Sequence, residues 1–193
     1  MIRGQLIGLA LLIGCTPGAA EQEPTPPAAP AAPATPPPAT VGEAPLAPHP
    51  ISRLPRLRVE VADERFVMEL ADNPLARERG LSGRRRVAPN EGMLFVYPEP
   101  RELGFWMNEC LTDLDIVYVD RHGRIKSMHR MKAEPPRREQ EPRSEYEARL
   151  PRYRSVHLVQ FALEFAPGTI DRLELRLGDM VDLPRSRLVE DAR

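Results

Sequence analysis

Apolar and polar residues alternate along several short segments of this chain, and this pattern predicts half-buried β-strands. Two segments, residues 93–97 and 114–119, are apolar on both faces, which is typical of the central strands of a sheet. In full, the predicted strands are residues 57–61, 66–70, 93–97, 114–119, 124–129, 156–165, 173–177 and 180–183.

One helix is predicted between the second and third of these strands. Asn73 supplies a capping side chain, Pro74 suits the first helical position, and Gly80 follows the last helical residue. These residue types start and stop short helices. Residues 133–154 are polar, charged and interrupted by prolines, so we expect a long surface loop there.

Seven or eight short strands with one or two short helices indicate a mainly β fold. We therefore predict a compact single domain over residues 57–193 that is β-sandwich-like or barrel-like. Its length lies within the ordinary range of one domain.

The prolines divide the chain into two parts. Of the 23 prolines, thirteen fall between Pro17 and Pro55. Proline fixes the φ angle and removes a hydrogen-bond donor, so this stretch is unsuited to helices and to sheets. We predict that residues 15–56 form a disordered, Pro/Ala-rich tether that holds the domain away from a surface.

The first fourteen residues have the pattern of a signal peptide, with a basic start and an apolar stretch too short to span a bilayer. That stretch ends at Gly14-Cys15, which resembles the acylation site of bacterial lipoproteins. We expect a lipid on Cys15 and a location in the bacterial cell envelope. Because Thr16 is not an aspartate, we favour the periplasmic face of the outer membrane. The alternative is an ordinary signal peptide in which Cys15 is incidental.

The charges exclude one class of protein. The chain has 27 basic and 28 acidic residues, whereas nucleic-acid binding draws on an excess of Lys and Arg. We predict no nucleic-acid partner. Once Cys15 carries lipid, Cys110 has no partner for an intrachain disulfide, and we expect it to be buried and inert.

Four motifs in the predicted domain, in the same order, resemble the prokaryotic family known as domain of unknown function 192. They are Gly92-Met93-Leu94-Phe95, Phe105-Trp106-Met107, Leu114-Asp115-Ile116 and Gly178-Asp179, with further agreement at Ala71–Arg84 and Ala162-Leu163-Glu164. The resemblance covers almost all of residues 57–183. It implies a compact, mainly β, sandwich-like domain with no established activity.

The chain departs from that family at one motif. Members usually read Phe-Trp-Met-Lys-Asn-Thr, whereas this chain has Asn108, Glu109 and Cys110 after Met107. It also has Asp113 at the position of a common proline. If the family's Asn-Thr pair carries chemistry, that chemistry is lost or altered here.

The candidate binding residues surround this motif. We place a ligand site at Trp106, Asn108, Glu109 and Asp115, with Arg77 or Arg101 as the opposing charge. Trp106 would stack on a sugar or another flat ligand, and Asp115 would act as a ligand carboxylate. The alternative is structural: Trp106 packs in the core, and Asp115 either forms a buried ion pair, with Arg77, Arg84 or Arg101, or caps the end of a strand.

Three functions remain open. We favour a ligand- or partner-binding β domain whose partner is a small molecule, a glycan or an envelope protein. The second is a hydrolase with paired carboxylates, drawn from Glu109, Asp113, Asp115 and Glu164. The third is a purely structural interaction module. We predict no cofactor and no metal site, because the histidines are scattered and the Met128-His129-x-Met131 cluster is a weak signal for copper.

Overall fold

The computed structural model describes residues 45–193. The predicted signal peptide, the predicted lipidation site Cys15 and residues 15–44 of the predicted tether lie outside the described residues. Within residues 45–193, no helix is both long and apolar enough to cross a membrane.

The described chain is mainly β, as predicted, and its main sheet is curled like half of a barrel. The strands are β1 (Arg56–Val61), β2 (Glu64–Ala71), β3 (Glu91–Arg101), β4 (Gly104–Phe105), β5 (Leu114–Val119), β6 (Ile125–Met131), β7 (Tyr153–Arg154), β8 (Val159–Phe165) and β9 (Val181–Asp182). The helices are α1 (Pro74–Arg79), α2 (Arg143–Arg149), α3 (Thr169–Arg172) and α4 (Arg185–Asp191).

Seven strands form the main sheet in the order β6-β5-β8-β3-β2-β1-β9, and β4 pairs with β7 in a small second sheet. Neighbouring strands are antiparallel except β2 and β3, which run parallel. A parallel pair needs a crossover connection, and α1 lies within that connection. β8 is an interior strand of the sheet, paired with β3 on one side and β5 on the other.

The main sheet is buried on both faces. Along β8, Phe161, Leu163 and Phe165 point to one face, which α4 covers through Leu188. Ala162 points to the other face, where it packs with side chains from α1 and from the chain after β4. Glu164 shares the second face by alternation. We call these the α4 face and the α1 face.

Helix α1 has the ends that the sequence predicts. The Asn73 side chain accepts a hydrogen bond from the Ala76 amide at 3.0 Å, and Pro74 is at the first turn. Gly80 ends the helix with a φ of 50°, a conformation that favours glycine. These ends bring Arg77 and the following Leu81-Ser82-Gly83 turn over the α1 face.

Two sequence predictions about local structure are wrong. Residues 173–177 form no strand; they follow α3 in turns, with Glu174 at a φ of 50°. The Leu175 amide instead bonds to the Ile170 carbonyl at 3.1 Å. Residues 133–154 are not one irregular loop either, because they contain α2 and β7, and Tyr146 of α2 is buried. The described chain therefore has four short helices instead of one or two.

The segment before β1 packs on the domain, although the sequence analysis assigned it to the tether. His49 is buried, and its Nδ1 accepts a hydrogen bond from the Ser52 amide at 3.2 Å. Close to His49, the Glu69 carboxylate accepts hydrogen bonds from the Arg84 guanidinium and from the Ser52 hydroxyl. The packed chain thus extends at least to His49.

Candidate functional site

A cleft of about 750 Å³ opens on the α1 face, between α1, the chain after β4, and α2. It gathers residues from distant parts of the sequence. Its lining residues are Leu75, Arg77, Glu78, Arg79, Gly80, Leu81, Ser82, Phe95, Tyr97, Gly104, Phe105, Trp106, Asn108, Glu109, Cys110, Arg143, Glu147 and Glu164.

Glu164 is the buried polar residue of this cleft. It lies on the interior strand β8, in register with Met93 of β3 and Ile116 of β5, and is 4% exposed. Its carboxyl group forms no hydrogen bond or ion pair with any residue in 45–193. Because no side-chain oxygen of residues 45–193 is both sealed from solvent and unpartnered, the carboxyl oxygens of Glu164 still reach the cleft. Burial raises the pKa of Glu164 to about 8, because removal from water disfavours the charged form. At neutral pH the group is therefore largely a neutral acid.

Aromatic rings form much of the cleft wall. Phe95 and Phe105 meet edge to face with their ring centroids 4.7 Å apart. Trp106 is half-buried, and the Arg152 guanidinium stacks on its ring, 3.4 Å from the centroid. Trp106 is thus neither a core residue nor a fully exposed platform, and part of it remains available to the cleft.

Two of the three arginines at the rim, Arg77 and Arg143, have partners of their own. Arg77 donates to the Val96 carbonyl at 2.8 Å and to the Arg193 carbonyl, and it lies 4.9 Å from the Tyr97 ring centroid. Arg143 pairs with Glu147 at 2.6 Å. Arg77, predicted as the opposing charge of the site, therefore lines the cleft but forms no ion pair with a buried carboxylate.

Three hydrogen bonds fasten the segment after Trp106. The Ser82 hydroxyl donates to the Asn108 carbonyl at 2.8 Å, and the Gly83 amide donates to the Glu109 carbonyl at 2.9 Å. The Glu109 amide donates to the Tyr146 hydroxyl at 3.0 Å. The turn after α1 and helix α2 thus hold Asn108 and Glu109 at the cleft.

Asp115 lies on the opposite face of the sheet. It is 2% exposed, it pairs in register with Phe165, and its Oδ2 accepts a hydrogen bond from the Ile170 amide at 2.8 Å. Burial raises its pKa. Asp115 therefore lies away from the cleft, and its hydrogen-bond partner is the backbone of α3 instead of an arginine.

The three arginines proposed as partners of Asp115 have other contacts or positions. Arg84 pairs with Glu69 at 2.8 Å, Arg77 contacts Val96 as described, and Arg101 is exposed at the end of β3. Arg101 does not line the cleft. The structure thus brings together four predicted site residues, Arg77, Trp106, Asn108 and Glu109, and leaves out Arg101 and Asp115.

Of the four carboxylates that were candidates for paired catalysis, two line the cleft and two lie outside it. Asp113 accepts the Lys132 ammonium at 2.7 Å and the Ala133 amide at 2.8 Å, and the Lys132 hydrogen bond lowers the pKa of Asp113. Asp115 is on the other face. Glu109 and Glu164 remain in the cleft.

Cys110 has the character of a buried, inert thiol. Burial, reinforced by Glu164 and Glu109, raises the pKa of Cys110 to about 12, whereas a reactive cysteine needs a lowered pKa. Its Sγ contacts the Asn108 carbonyl at 3.7 Å. Over residues 45–193, no group of three His, Cys, Asp or Glu side chains is arranged to hold a metal ion.

A larger cavity of about 880 Å³ lies between the segment before β1 and helix α4. It reaches Pro45, where the described residues begin, and none of the buried polar side chains of the described chain lines it. The cleft that contains Glu164 is therefore the better candidate site, although it is smaller.

Comparison with known proteins gives the family. The model of domain of unknown function 192, DUF192, described as "Uncharacterized ACR", matches residues 57–183. The chain belongs to the DUF192 family. This confirms the family resemblance of the motifs.

Two solved structures are similar to this DUF192 chain. A candidate transcription regulator from Sinorhizobium meliloti is 31% identical, with 66% of this chain and 91% of that chain covered and a TM-score of 0.52. A protein of unknown function from Novosphingobium aromaticivorans is 27% identical, with 73% and 94% covered and a TM-score of 0.58. No curated protein matches the chain.

The geometry gives a physical reason for one DUF192 motif position. Glu109 has a φ of 55°, and asparagine tolerates this left-handed region better than glutamate does. The resemblance described above implies an asparagine at this position, and asparagine would suit this backbone better than Glu109.

Sequence reasoning did not single out Glu164, although it noted this residue in a motif and among the carboxylates. Alternation placed Phe161, Leu163 and Phe165 inside, which left Glu164 on the face that would normally meet solvent. The available signal was the strand composition, because Ala162 on the same face is small and apolar.

Proposed function

We propose that this DUF192 domain binds a small organic molecule in the cleft above Glu164. The observation that carries the proposal is a buried carboxyl group that has no described protein partner and that opens into an aromatic-lined cleft. A polar group removed from water is costly unless it is hydrogen-bonded. A ligand group that bonds to Glu164 would supply the missing interaction.

The cleft has the features of a small-molecule site. Its volume lies in the range of ligand pockets, and it combines apolar walls with a few polar groups. Trp106 and Phe105 offer ring surfaces for stacking on a sugar or another flat molecule. Asn108 and Glu109 add polar groups at the rim, held in place by Ser82 and Tyr146.

The test is a thermal-shift screen of the full-length chain with cell-wall fragments, oligosaccharides, nucleotides, and copper and zinc ions. A ligand at a hundred times its dissociation constant adds about 2.7 kcal/mol of stability, which raises Tm by several degrees for a domain of this size. We expect Trp106→Ala to remove the shift and Arg101→Ala, outside the cleft, to retain it. A ligand that shifts both variants equally would contradict the proposal.

Glycoside hydrolysis is the second candidate function. Glu164, with its raised pKa, has the property of a general acid, and Glu109 offers a second carboxyl group in the same cleft. We expect an active enzyme to cleave fluorogenic glycosides and to lose at least a hundredfold in rate on Glu164→Gln or Glu109→Gln. Activity that survives both substitutions would refute this mechanism.

The proposal also includes the location. The sequence supports acylation of Cys15, a periplasmic outer-membrane position in the bacterial envelope, and a Pro/Ala-rich tether that carries the domain. Radioactive palmitate should label the chain in bacterial cells, and Cys15→Ser should abolish labelling and release the protein from membranes. Membrane attachment that persists in Cys15→Ser would contradict lipid anchoring.

A further inference from the structure

The cleft contains one buried acid without a nearby compensating charge. Arg77 bonds to two backbone carbonyls, and Arg143 pairs with Glu147. No described cation forms an ion pair with Glu164, and burial raises its pKa. An ionised Glu164 would therefore be an uncompensated negative charge at the base of the cleft.

The groups around this acid favour an incoming cation. Aromatic faces attract cations through the ring quadrupole, and the cleft has four rings, those of Phe95, Tyr97, Phe105 and Trp106. Two of these rings already hold a cation: the Arg77 guanidinium lies over Tyr97 and the Arg152 guanidinium over Trp106. Its rim also carries three further carboxylates. They are Glu78, Glu109 and Glu147, and the rim carries as many arginines, Arg77, Arg79 and Arg143, so an ionised Glu164 makes the lining net negative.

We infer that the ligand carries a protonated primary amine, which enters between the aromatic rings and forms an ion pair with the Glu164 carboxylate. This inference rests on the proposed function and names the chemical class of its ligand. An ammonium group has three donors and no acceptor, and so it matches a carboxylate that lacks donors. The proton that leaves Glu164 on binding goes to solvent.

The pH dependence of amine binding can show that Glu164 is the acid that pairs with the amine. The titratable and charged groups that line the cleft with Glu164 are Tyr97 of β3, Cys110 and Glu109 after β4, Arg77, Glu78 and Arg79 of α1, and Arg143 and Glu147 of α2. Tyr118 of β5 also interacts electrostatically with Glu164. Burial raises the pKa of Tyr97, Tyr118 and Cys110, so none of these three titrates between pH 6 and pH 7. No histidine lines the cleft in the described chain; His129 packs on Tyr118 outside it.

The experiment measures the affinity of the full-length chain for two matched pairs of probes by calorimetry. The pairs are benzylamine with benzyl alcohol, and tyramine with 2-(4-hydroxyphenyl)ethanol. We expect each amine to bind at least tenfold more tightly than its alcohol at pH 7. Because Glu164 must lose a proton first, the affinity for the amines should rise about tenfold from pH 6 to pH 7.

Variants assign the effect to one carboxyl group. Glu164→Gln keeps the shape and removes the charge, so it should reduce amine affinity at least tenfold and remove its pH dependence. Glu99→Gln, an exposed carboxylate outside the cleft, should match the wild type. If Glu164→Gln fails to fold, the change in amine affinity of the wild-type chain between pH 6 and pH 7 still tests the inference.

Two results would overturn the inference. One is that the alcohols bind as tightly as the amines, or that amine affinity does not rise from pH 6 to pH 7. The other is that neither member of either pair binds. Alcohol binding that Trp106→Ala abolishes would overturn the amine preference and leave the proposed function intact, whereas failure of the whole ligand screen would refute the proposed function itself.

Discussion

The two faces of the main sheet each bury one carboxyl group, and they treat it differently. On the α4 face, Asp115 is 2% exposed and accepts the Ile170 amide at 2.8 Å. On the α1 face, Glu164 is 4% exposed and has no described partner. Burial raises both pKa values. Burial and a shifted pKa therefore do not separate a structural carboxylate from a candidate site, whereas the missing hydrogen bond does.

This difference follows from what covers each face. The start of α3 presents a backbone amide to Asp115, so the carboxylate stabilises the local fold. Above Glu164, the side chains of Phe95, Phe105 and Cys110 offer no strong donor, and the cleft stays open. Natural sites often retain groups that weaken the free protein, and Glu164 fits that behaviour.

The largest expected effect comes from the pH dependence of Glu164. Its folded pKa of about 8 exceeds the ordinary value of 4.5, so the folded state binds more protons between these values and loses stability as pH rises. Glu164→Gln removes this loss. The stability of the variant relative to wild type should increase by roughly 3 kcal/mol from pH 5 to pH 8, measured by urea unfolding. If the stability difference between Glu164→Gln and wild type is the same at pH 5 and pH 8, the raised pKa of Glu164 is contradicted.

Substitution of Asp115, the buried carboxylate of the α4 face, should destabilise the folded domain. Asp115→Ala leaves the buried Ile170 amide without an acceptor, which costs about 2 kcal/mol. Asp115→Asn retains an acceptor oxygen and should lose less. Unfolding in urea at pH 7 measures both, and ligand binding in the cleft should be unchanged. A loss of binding in Asp115→Asn with intact stability would place Asp115 in the site after all.

A smaller effect is expected where α2 supports the rim of the cleft. Tyr146→Phe removes the hydroxyl that accepts the Glu109 amide, and it should reduce the free energy of unfolding by about 1 kcal/mol. Because Glu109 borders the cleft, affinity for a cleft ligand should fall as well. Tyr153→Phe, which removes a hydroxyl that accepts the Lys132 amide outside the cleft, is the control and should leave affinity unchanged.

The smallest effect concerns the backbone of Glu109. Its φ of 55° is a left-handed conformation that asparagine adopts more readily. Glu109→Asn should therefore raise the free energy of unfolding, by no more than about 1 kcal/mol. Glu102→Asn, on an exposed residue close in sequence, is the control. A destabilised Glu109→Asn would show that the glutamate side chain makes a favourable contribution that offsets the strain.

The fold was predictable where local chemistry was strong. The β2–α1 junction followed from Asn73, Pro74 and Gly80, and the two central strands followed from continuous apolar runs. The strand predicted at 173–177 was wrong because alternating leucines also fit turns when only Leu175 needs burial. Helix α2 was missed because its neighbouring prolines resemble a loop, although they lie outside the helix.

The candidate site was predictable in part. Trp106, Asn108 and Glu109 were found because they are neighbours in one motif, and Arg77 was found as a possible counter-charge. Asp115 was placed in the site because a carboxylate in an apolar strand signals function or structure equally well. Choosing between those meanings requires the identity of its hydrogen-bond donor, and Ile170 is 55 residues away in sequence.

The sequence by itself determined the mainly β class, the family and the residue types that approach the cleft, because short-range periodicity and motif order depend on neighbouring residues. The tertiary structure decided which face each carboxylate occupies and whether a donor meets it. Glu164 illustrates this limit. Its alternation indicates an outward side chain, but β3 and β5 flank its strand, and the chain after β4 closes over it. Long-range packing thus converts an ordinary surface position into the buried acid of the cleft.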